Sequence, residues 1–254
     1  MHRATFQYKH HPRSQDALLE ELRALAREHP RYGYRRAWAV VRRTRLVNRK
    51  RIHRLWKQAQ LQVKRSTRAR RSRHRSVQLQ ATHPNHIWAY DFVQDADRQG
   101  DKLYILTVMD EFTREGLATH VACETSAEGV QAVLAALCAM YGRPSYLRSD
   151  NGAEFVAGAV QHWLAQHEIV PLYIDPGCPW QNGKDERFTG TVRDECLNRQ
   201  LFGSLVEARI RLEGFRQHYN SERPHSALGY QTPLAFKQAW NEAQKKQQDS
   251  LTPT

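Results

Sequence analysis

Cysteine is scarce in this 254-residue chain. Cys123, Cys138, Cys178 and Cys196 are far apart, and no two of them form a CxxC pair. The spacing therefore offers neither a zinc ribbon nor a thioredoxin-type site, and the His10-His11 doublet has no HxxxH frame to join. A disulfide scaffold is excluded on the same grounds, and a reducing compartment is expected. Long apolar runs are absent too. The longest uninterrupted one ends at Tyr141 and is about half the roughly 20 residues that a bilayer-spanning helix needs. The first stretch, MHRATFQYKHHPRSQ, has no apolar core segment and is not a secretory signal. No internal repeat is found. What the chain does have is 40% hydrophobic and 9% aromatic residues, enough for a packed core rather than disorder.

Acidic residues are missing from one region in particular. The formal charge is +13, but residues 1–90 carry 23 Lys and Arg against four acids, Asp16, Glu20, Glu21 and Glu28. Residues 91–254 carry 16 basic and 22 acidic side chains. Between His29 and Tyr90 there are 18 basic residues and no acid. A polyanion is the natural partner of such a stretch, because each neutralised phosphate releases counterions. Lys64 to Arg75 (KRSTRARRSRHR) has seven Lys or Arg and no bulky apolar group. It cannot bury a core and is expected to be a linker.

Before the linker, Leu18, Leu22 and Leu25 follow the helical period over Asp16 to Glu28. A short helix is expected over Arg35 to Arg43. Asn48 is a predicted N-cap, and Ile52, Leu55, Trp56 and Ala59 form the apolar stripe of the helix after it. Arg49, Lys50, His53, Arg54 and Lys57 fall on the outer face of that helix. Two short helices with a turn, the second studded with cations, fit a helix-turn-helix. A basic three-helix bundle with no specific ligand is the plain alternative.

After the linker, strand and helix patterns alternate. His86 to Gln94 has period two, with Trp88, Tyr90 and Phe92 on one face and Ala89, Asp91 and Val93 on the other. Lys102 to Met109 is apolar on both faces, as a central strand is. Gly116 to Ala122, Tyr146 to Arg148 and Ile169 to Ile174 are the remaining predicted strands. Helical stripes pass through Val130 to Tyr141, Val156 to Leu164, the segment from Lys184, and Leu205 to Tyr219. The fold class is α/β: a mixed five-stranded sheet with helices, preceded by an all-α module. The expected organisation is a DNA-binding module over 1–63, a basic linker over 64–85, a core over 86–200, a helical extension over 201–240 and a flexible tail over 241–254.

Three carboxylates stand at chemically useful places. Asp91 lies in the first strand among bulky neighbours, where a charge is costly unless paired. Asp150 follows the fourth strand, and ligands gather at strand ends in open sheets; Asp-Asn-Gly is also an ordinary turn. Glu186 lies in the first turn of a helix, where a carboxylate also complements the helix dipole. Together they fit paired divalent cations, which need several carboxylates converging from separate elements and which act on phosphodiesters. Asp110-Glu111, after the second strand, is expected to be a solvated acidic turn. Trp180 and Gln181, in the loop before Glu186, are open to either DNA contact or loop packing.

The strings WAYDF, SDNGAEF and NGKDERF, with 35 residues between Asp150 and Glu186, resemble the DDE core of retroviral-integrase-like transposases. The nearest likeness is to the second-frame (OrfB) transposases of the insertion-sequence-three family. YGYRRAW and VNRKRIHRLWKQAQL resemble that family's upstream helix-turn-helix module, and YNSERPHSALGYQTPLAF its C-terminal string. The resemblance implies an RNase H-like integrase catalytic core, with Asp91, Asp150 and Glu186 as both catalytic residues and metal ligands. It implies two Mg²⁺ ions per site, with Mn²⁺ as a substitute. It implies strand cleavage at element ends followed by 3′-hydroxyl strand transfer, without a covalent protein–DNA intermediate. Arg193, seven residues after Glu186, stands where the family has a basic residue. It joins Arg49, Lys50, His53, Arg54, Lys57, Lys64, Arg65, Arg68, Arg70 and Arg71 as an expected DNA contact. The implied partners are double-stranded DNA (terminal repeats and target), further copies of the chain on DNA, and an upstream-frame protein. The implied location is the bacterial cytosol or nucleoid. A DNA-binding regulator with a dead core and a nuclease that only hydrolyses are the rival functions.

Overall fold

The computed structural model describes residues 15–63, 79–149, 158–174 and 182–251. The chain divides into two units, residues 1–70 and 71–254.

The first unit is built from α1 (Gln15–Glu28), α2 (Tyr34–Val41) and α3 (Arg49–Gln58). Leu18 and Leu22 of α1, Ala37 and Val41 of α2, and Ile52, Leu55 and Trp56 of α3 close one apolar cluster. Asn48 caps α3, its side chain accepting from the Lys50 amide at 2.8 Å. That bond satisfies one of the donors left open at a helix start.

The second unit carries a five-stranded sheet of β1 (Ile87–Ala96), β2 (Lys102–Asp110), β3 (Gly116–Ala122), β4 (Tyr146–Ser149) and β5 (Val170–Tyr173). The strand order is β3-β2-β1-β4-β5. The first three strands are antiparallel, and β4 and β5 continue the sheet in parallel with β1. This is the mixed sheet expected from the sequence. Two layers of helix cover it. Trp88, Tyr90 and Phe92 face α4 (Ala127–Tyr141) and α5 (Gly158–Gln166), packing with Val130, Leu134, Val160 and Leu164. Ala89 and Val93 face the other way, onto Phe188 and Val192 of α6 (Asp185–Glu195) and Ala208, Leu212 and Tyr219 of α7 (Leu205–Ser221). The period of two in β1 thus assigns Asp91 to the α6 side.

One expectation about the C-terminal part changes. The segment beyond residue 200 is helical and packs on the sheet. Phe202, Ala208, Leu212 and Tyr219 belong to the same buried cluster as β1 and α6. The stretch expected to be a flexible tail is helical as far as Leu251, in α8 (Pro233–Leu251). Polarity was a poor guide here, because Ala, Gln, Lys and Glu are all good helix formers. Phe236 and Trp240 of α8 also pack against Phe112, with ring centroids 5.5 and 4.8 Å away. Among the described residues, no helix is long and apolar enough to cross a membrane.

Candidate carboxylate site and nucleic-acid interface

Asp91 is half-buried in β1, opposite Thr107 of β2. Its carboxylate accepts from the Phe92 amide at 2.8 Å and from the Thr189 hydroxyl at 3.4 Å. Thr107 donates its hydroxyl to the Asp91 carbonyl at 3.0 Å and lies 3.4 Å from the Thr189 oxygen. Thr189 sits on α6, one turn after Glu186. Two turns after Glu186, Arg193 donates to the Gln94 carbonyl of β1 at 3.1 Å. The pairs Thr189–Asp91 and Arg193–Gln94 fix α6 along β1. Residues three and seven apart share a helix face, so Glu186, which is exposed, heads the stripe that looks onto β1. Asp185 beside it is fully buried and takes a hydrogen bond from the Asn182 side chain at 3.2 Å. The adjacent acids therefore have separate places, one under the helix and one open to solvent.

Strand β4 pairs with β1 through Ile87–Tyr146, Trp88–Leu147 and Ala89–Arg148, and Ser149 is its last residue. Asp150 comes next in sequence and lies outside the described residues. Trp180 and Gln181 do so as well. Among the described residues, no group of three His, Cys, Asp or Glu side chains is arranged to hold a metal ion.

The acidic pair at the end of β2 is not a solvated turn. Asp110 and Glu111 are 2% and 1% exposed. Asp110 closes the turn, accepting from the amides of Phe112 and Thr113 at 2.8 and 2.7 Å and from the Asn85 amide at 2.6 Å. Glu111 pairs with the Arg148 guanidinium through one oxygen and with the Lys184 ammonium at 2.8 Å through the other. Burial pulls both cations below their ordinary pKa values, and Glu111 opposes that pull. The surface bias of carboxylates failed at this pair because Asp110 is satisfied by the amides of its own turn and by Asn85, and Glu111 by cations distant in sequence. Thr107, Thr189 and Lys184 are the residues that the sequence did not single out, and Glu111 is the one whose burial it did not foresee. The only signals for Thr189 and Lys184 were their offsets of three and two residues from Glu186.

The C-terminal string is structural where it is described. Asn220 pairs with both backbone groups of Gly116 at 2.8 Å. Arg223, 4% exposed, makes two bonds to Glu195 of α6 at 2.8 and 2.7 Å. The string therefore ties α7 to the start of β3 and to the far end of α6.

In the first unit, Arg49, Lys50, His53, Arg54 and Lys57 lie on α3 and all five are exposed, as the sequence pattern implied, whereas Arg51 is half-buried. The His53 ring packs at a 32° tilt against Tyr34 of α2, with centroids 4.2 Å apart. Arg49 and Arg42 lie 5.9 and 4.6 Å from the Trp38 ring, a contact that holds a cation to an indole face. Lys64, Arg65, Arg68, Arg70 and Arg71 lie outside the described residues.

Residues 13–70 match the family model of an HTH-like domain, and residues 81–179 and 167–233 match two models of the integrase core domain. A 31.7 kDa protein of insertion element IS407 from Burkholderia multivorans is 37% identical over 228 residues, covering 87% of this chain and 80% of that protein. The chain belongs to the insertion-sequence-three transposase family, of the OrfB type.

A second relative of this transposase, a 39.2 kDa protein of insertion element IS476 from Xanthomonas euvesicatoria, is 40% identical over 222 residues. That match covers 87% of the chain, which spans 64% of the relative's length. The transposase InsD of insertion element IS2 from Escherichia coli is 29% identical over 226 residues, covering 82% of this chain and 74% of InsD. Among solved structures, the HTLV-2 integrase catalytic core in complex with magnesium superposes with a TM-score of 0.51 at 17% identity, covering 61% of the chain and 97% of that core. This likeness establishes the RNase H-like fold of the transposase core.

Proposed function

We propose that this transposase cleaves DNA strands at the ends of an insertion element and joins the freed ends to new DNA. The observation that carries the reading is the alignment of α6 on β1. The Thr189–Asp91 contact at 3.4 Å brings the face of α6 headed by Glu186 over the face of β1 that bears Asp91. Asp150, directly after β4, is the third carboxylate of the proposed set.

The donor set is all carboxylate oxygen, which suits a hard cation such as Mg²⁺, with Mn²⁺ as a substitute. Asp91, Asp150 and Glu186 would hold the ions. Bound there, they would supply activation of the attacking oxygen and charge stabilisation of the leaving one. The reaction has two balanced steps. Water attacks a phosphodiester at the element end, the bond to the 3′ oxygen breaks, and that oxygen leaves as a 3′-hydroxyl. The 3′-hydroxyl then attacks a second phosphodiester, so one ester bond forms as another breaks. Arg193, exposed and braced on the Gln94 carbonyl, would hold a DNA phosphate beside the carboxylates. The cations of α3, with Lys64, Arg65, Arg68, Arg70 and Arg71, would bind the terminal DNA. The test is incubation of the full chain with labelled element-end DNA and Mg²⁺, resolving cut from joined strands. Joined product is expected. Cut strands alone would leave a nuclease, and intact DNA a binding protein.

An element has two ends, and one chain carries one recognition module, so the active species would be an oligomer on DNA. A mixture of Glu186→Gln with the Arg49→Ala, Arg54→Ala variant is expected to regain activity that neither has alone. A mixture as inactive as its parts, with mixed oligomers confirmed on DNA, would rule this out.

A further inference from the structure

We propose that Glu111 and Lys184 are positioning residues that set the first turn of α6, and with it Glu186, relative to Asp91. This rests on the reading of Asp91 and Glu186 as metal ligands. The Glu111 carboxylate uses its two oxygens on two segments far apart in sequence, Arg148 at the end of β4 and Lys184 just before α6. The Glu111 and Arg148 side chains are 1% and 5% exposed. Arg148 uses its remaining amino group on the Leu79 carbonyl at 2.9 Å. Three elements thus meet at one buried carboxylate. They are the end of β2, the end of β4, two residues short of Asp150 in sequence, and the approach to α6, two residues short of Glu186.

Stability alone does not account for such a cluster. Buried ion pairs contribute little net stability, because desolvation offsets the attraction, and apolar groups of similar shape often replace them without loss. What an ion pair with satisfied geometry does impose is position. The first turn of α6 has use for that. Lys184 is its N-cap residue and makes no side-chain capping bond. Further along, Phe188 and Val192 hold α6 by burial, but Glu186 itself is exposed. The Lys184–Glu111 pair links the Glu186 turn to the end of the sheet's second strand.

The test uses the full chain and five variants, the last two being Glu111→Gln and its combination with Lys184→Met. Lys184→Met removes the charge from a side chain that is 25% exposed and leaves Glu111 paired with Arg148, so the fold is expected to survive, which the melt checks. Lys184→Arg keeps an ion pair, and Glu186→Gln removes the proposed ligand. Mn²⁺ is titrated into each by calorimetry, beside a thermal melt, a DNA-binding isotherm and the Mg²⁺ concentration for half-maximal cleavage. Lys184→Met is expected to weaken Mn²⁺ binding roughly tenfold, as loss of a group that braces a metal ligand does. It should raise the Mg²⁺ requirement by the same factor and leave DNA affinity unchanged. Lys184→Arg should restore both values. In a cycle with Glu111→Gln, the two losses should be less than additive, because both remove one link. A folded Lys184→Met variant with the parent's Mn²⁺ affinity would overturn the proposal while leaving the ligand reading intact. Parent-like Mn²⁺ binding and cleavage by Glu186→Gln would instead overturn the ligand reading, and the positioning role with it.

Discussion

Thr189 of α6 donates its hydroxyl to the carboxylate of Asp91 in β1 at 3.4 Å. The same two residues flank Thr107, which bonds the Asp91 carbonyl at 3.0 Å. A strand and a helix 98 positions apart in sequence are thereby registered at the first proposed ligand. The bond is long, and long bonds are weak. Thr189→Val keeps the side-chain shape and removes the hydroxyl. Cleavage is expected to slow by up to about tenfold, or roughly 1.4 kcal/mol. Steady-state cleavage rates with saturating DNA check this. Inactivity as complete as that of Asp91→Asn would mean that Thr189 touches the reacting groups itself.

Asp185 and Glu186 are expected to separate stability from chemistry. Asp185→Asn alters a fully buried, hydrogen-bonded group and should cost about 1–3 kcal/mol of stability. Glu186→Gln lies on the exposed face and should move stability by less than about 0.5 kcal/mol while abolishing cleavage. Denaturant melts and a cleavage assay on both variants decide it. A stable, inactive Asp185→Asn beside an active Glu186→Gln would exchange their roles.

Gly116 is expected to tolerate no side chain. A Cβ there would stand 2.8 Å from Phe188 Cζ, pressing on α6 from below. Gly116→Ala should cost about 1–3 kcal/mol as an overpacked core does, and should slow cleavage by displacing α6. Asn220→Ala strips the Gly116 amide of its side-chain acceptor, while the Gly116 carbonyl keeps Arg216 as a donor at 3.1 Å; it should cost about 1–3 kcal/mol by leaving the buried amide unsatisfied. Thermal melts that match the parent's for either variant would contradict the packing described.

DNA affinity should fall steeply with salt. If six phosphates are neutralised, the slope of log K against log salt is about −5 for the full chain. Arg49→Ala with Arg54→Ala should flatten that slope by about 0.9 for each phosphate that the variant leaves without its cation. A slope near zero in the parent would contradict a polyanion-binding role for the basic region.

Much of this was legible in the sequence, for reasons that differ by residue. The alternation of Trp88, Tyr90 and Phe92 with Ala89, Asp91 and Val93 announced both the strand and its two faces, because burial on each side imposes its own residue types. Asn48 and the stripe from Ile52 to Trp56 announced α3 in the same way. Glu186 stood out by its spacing from Asp150. Glu111 did not, because nothing local distinguishes a carboxylate that will be buried from one that stays in water. Its partners, Arg148 and Lys184, are 37 and 73 positions away. The docking of Phe236 and Trp240 on Phe112 was hidden for the same reason, and the stretch after residue 241 is polar yet helical because Ala, Gln, Lys and Glu favour the helix while staying in water.

The central claim is that Asp91 and Glu186, with Asp150, form one metal-dependent strand-transfer site. The most direct measurement takes Asp91→Asn, Asp150→Asn and Glu186→Gln, each assayed with labelled element-end DNA and Mg²⁺ for cut and joined strands and, separately, for DNA affinity. All three variants are expected to lose cleavage and joining while retaining the parent's DNA affinity. Any one of them that cuts and joins DNA at the parent's rate would contradict the account.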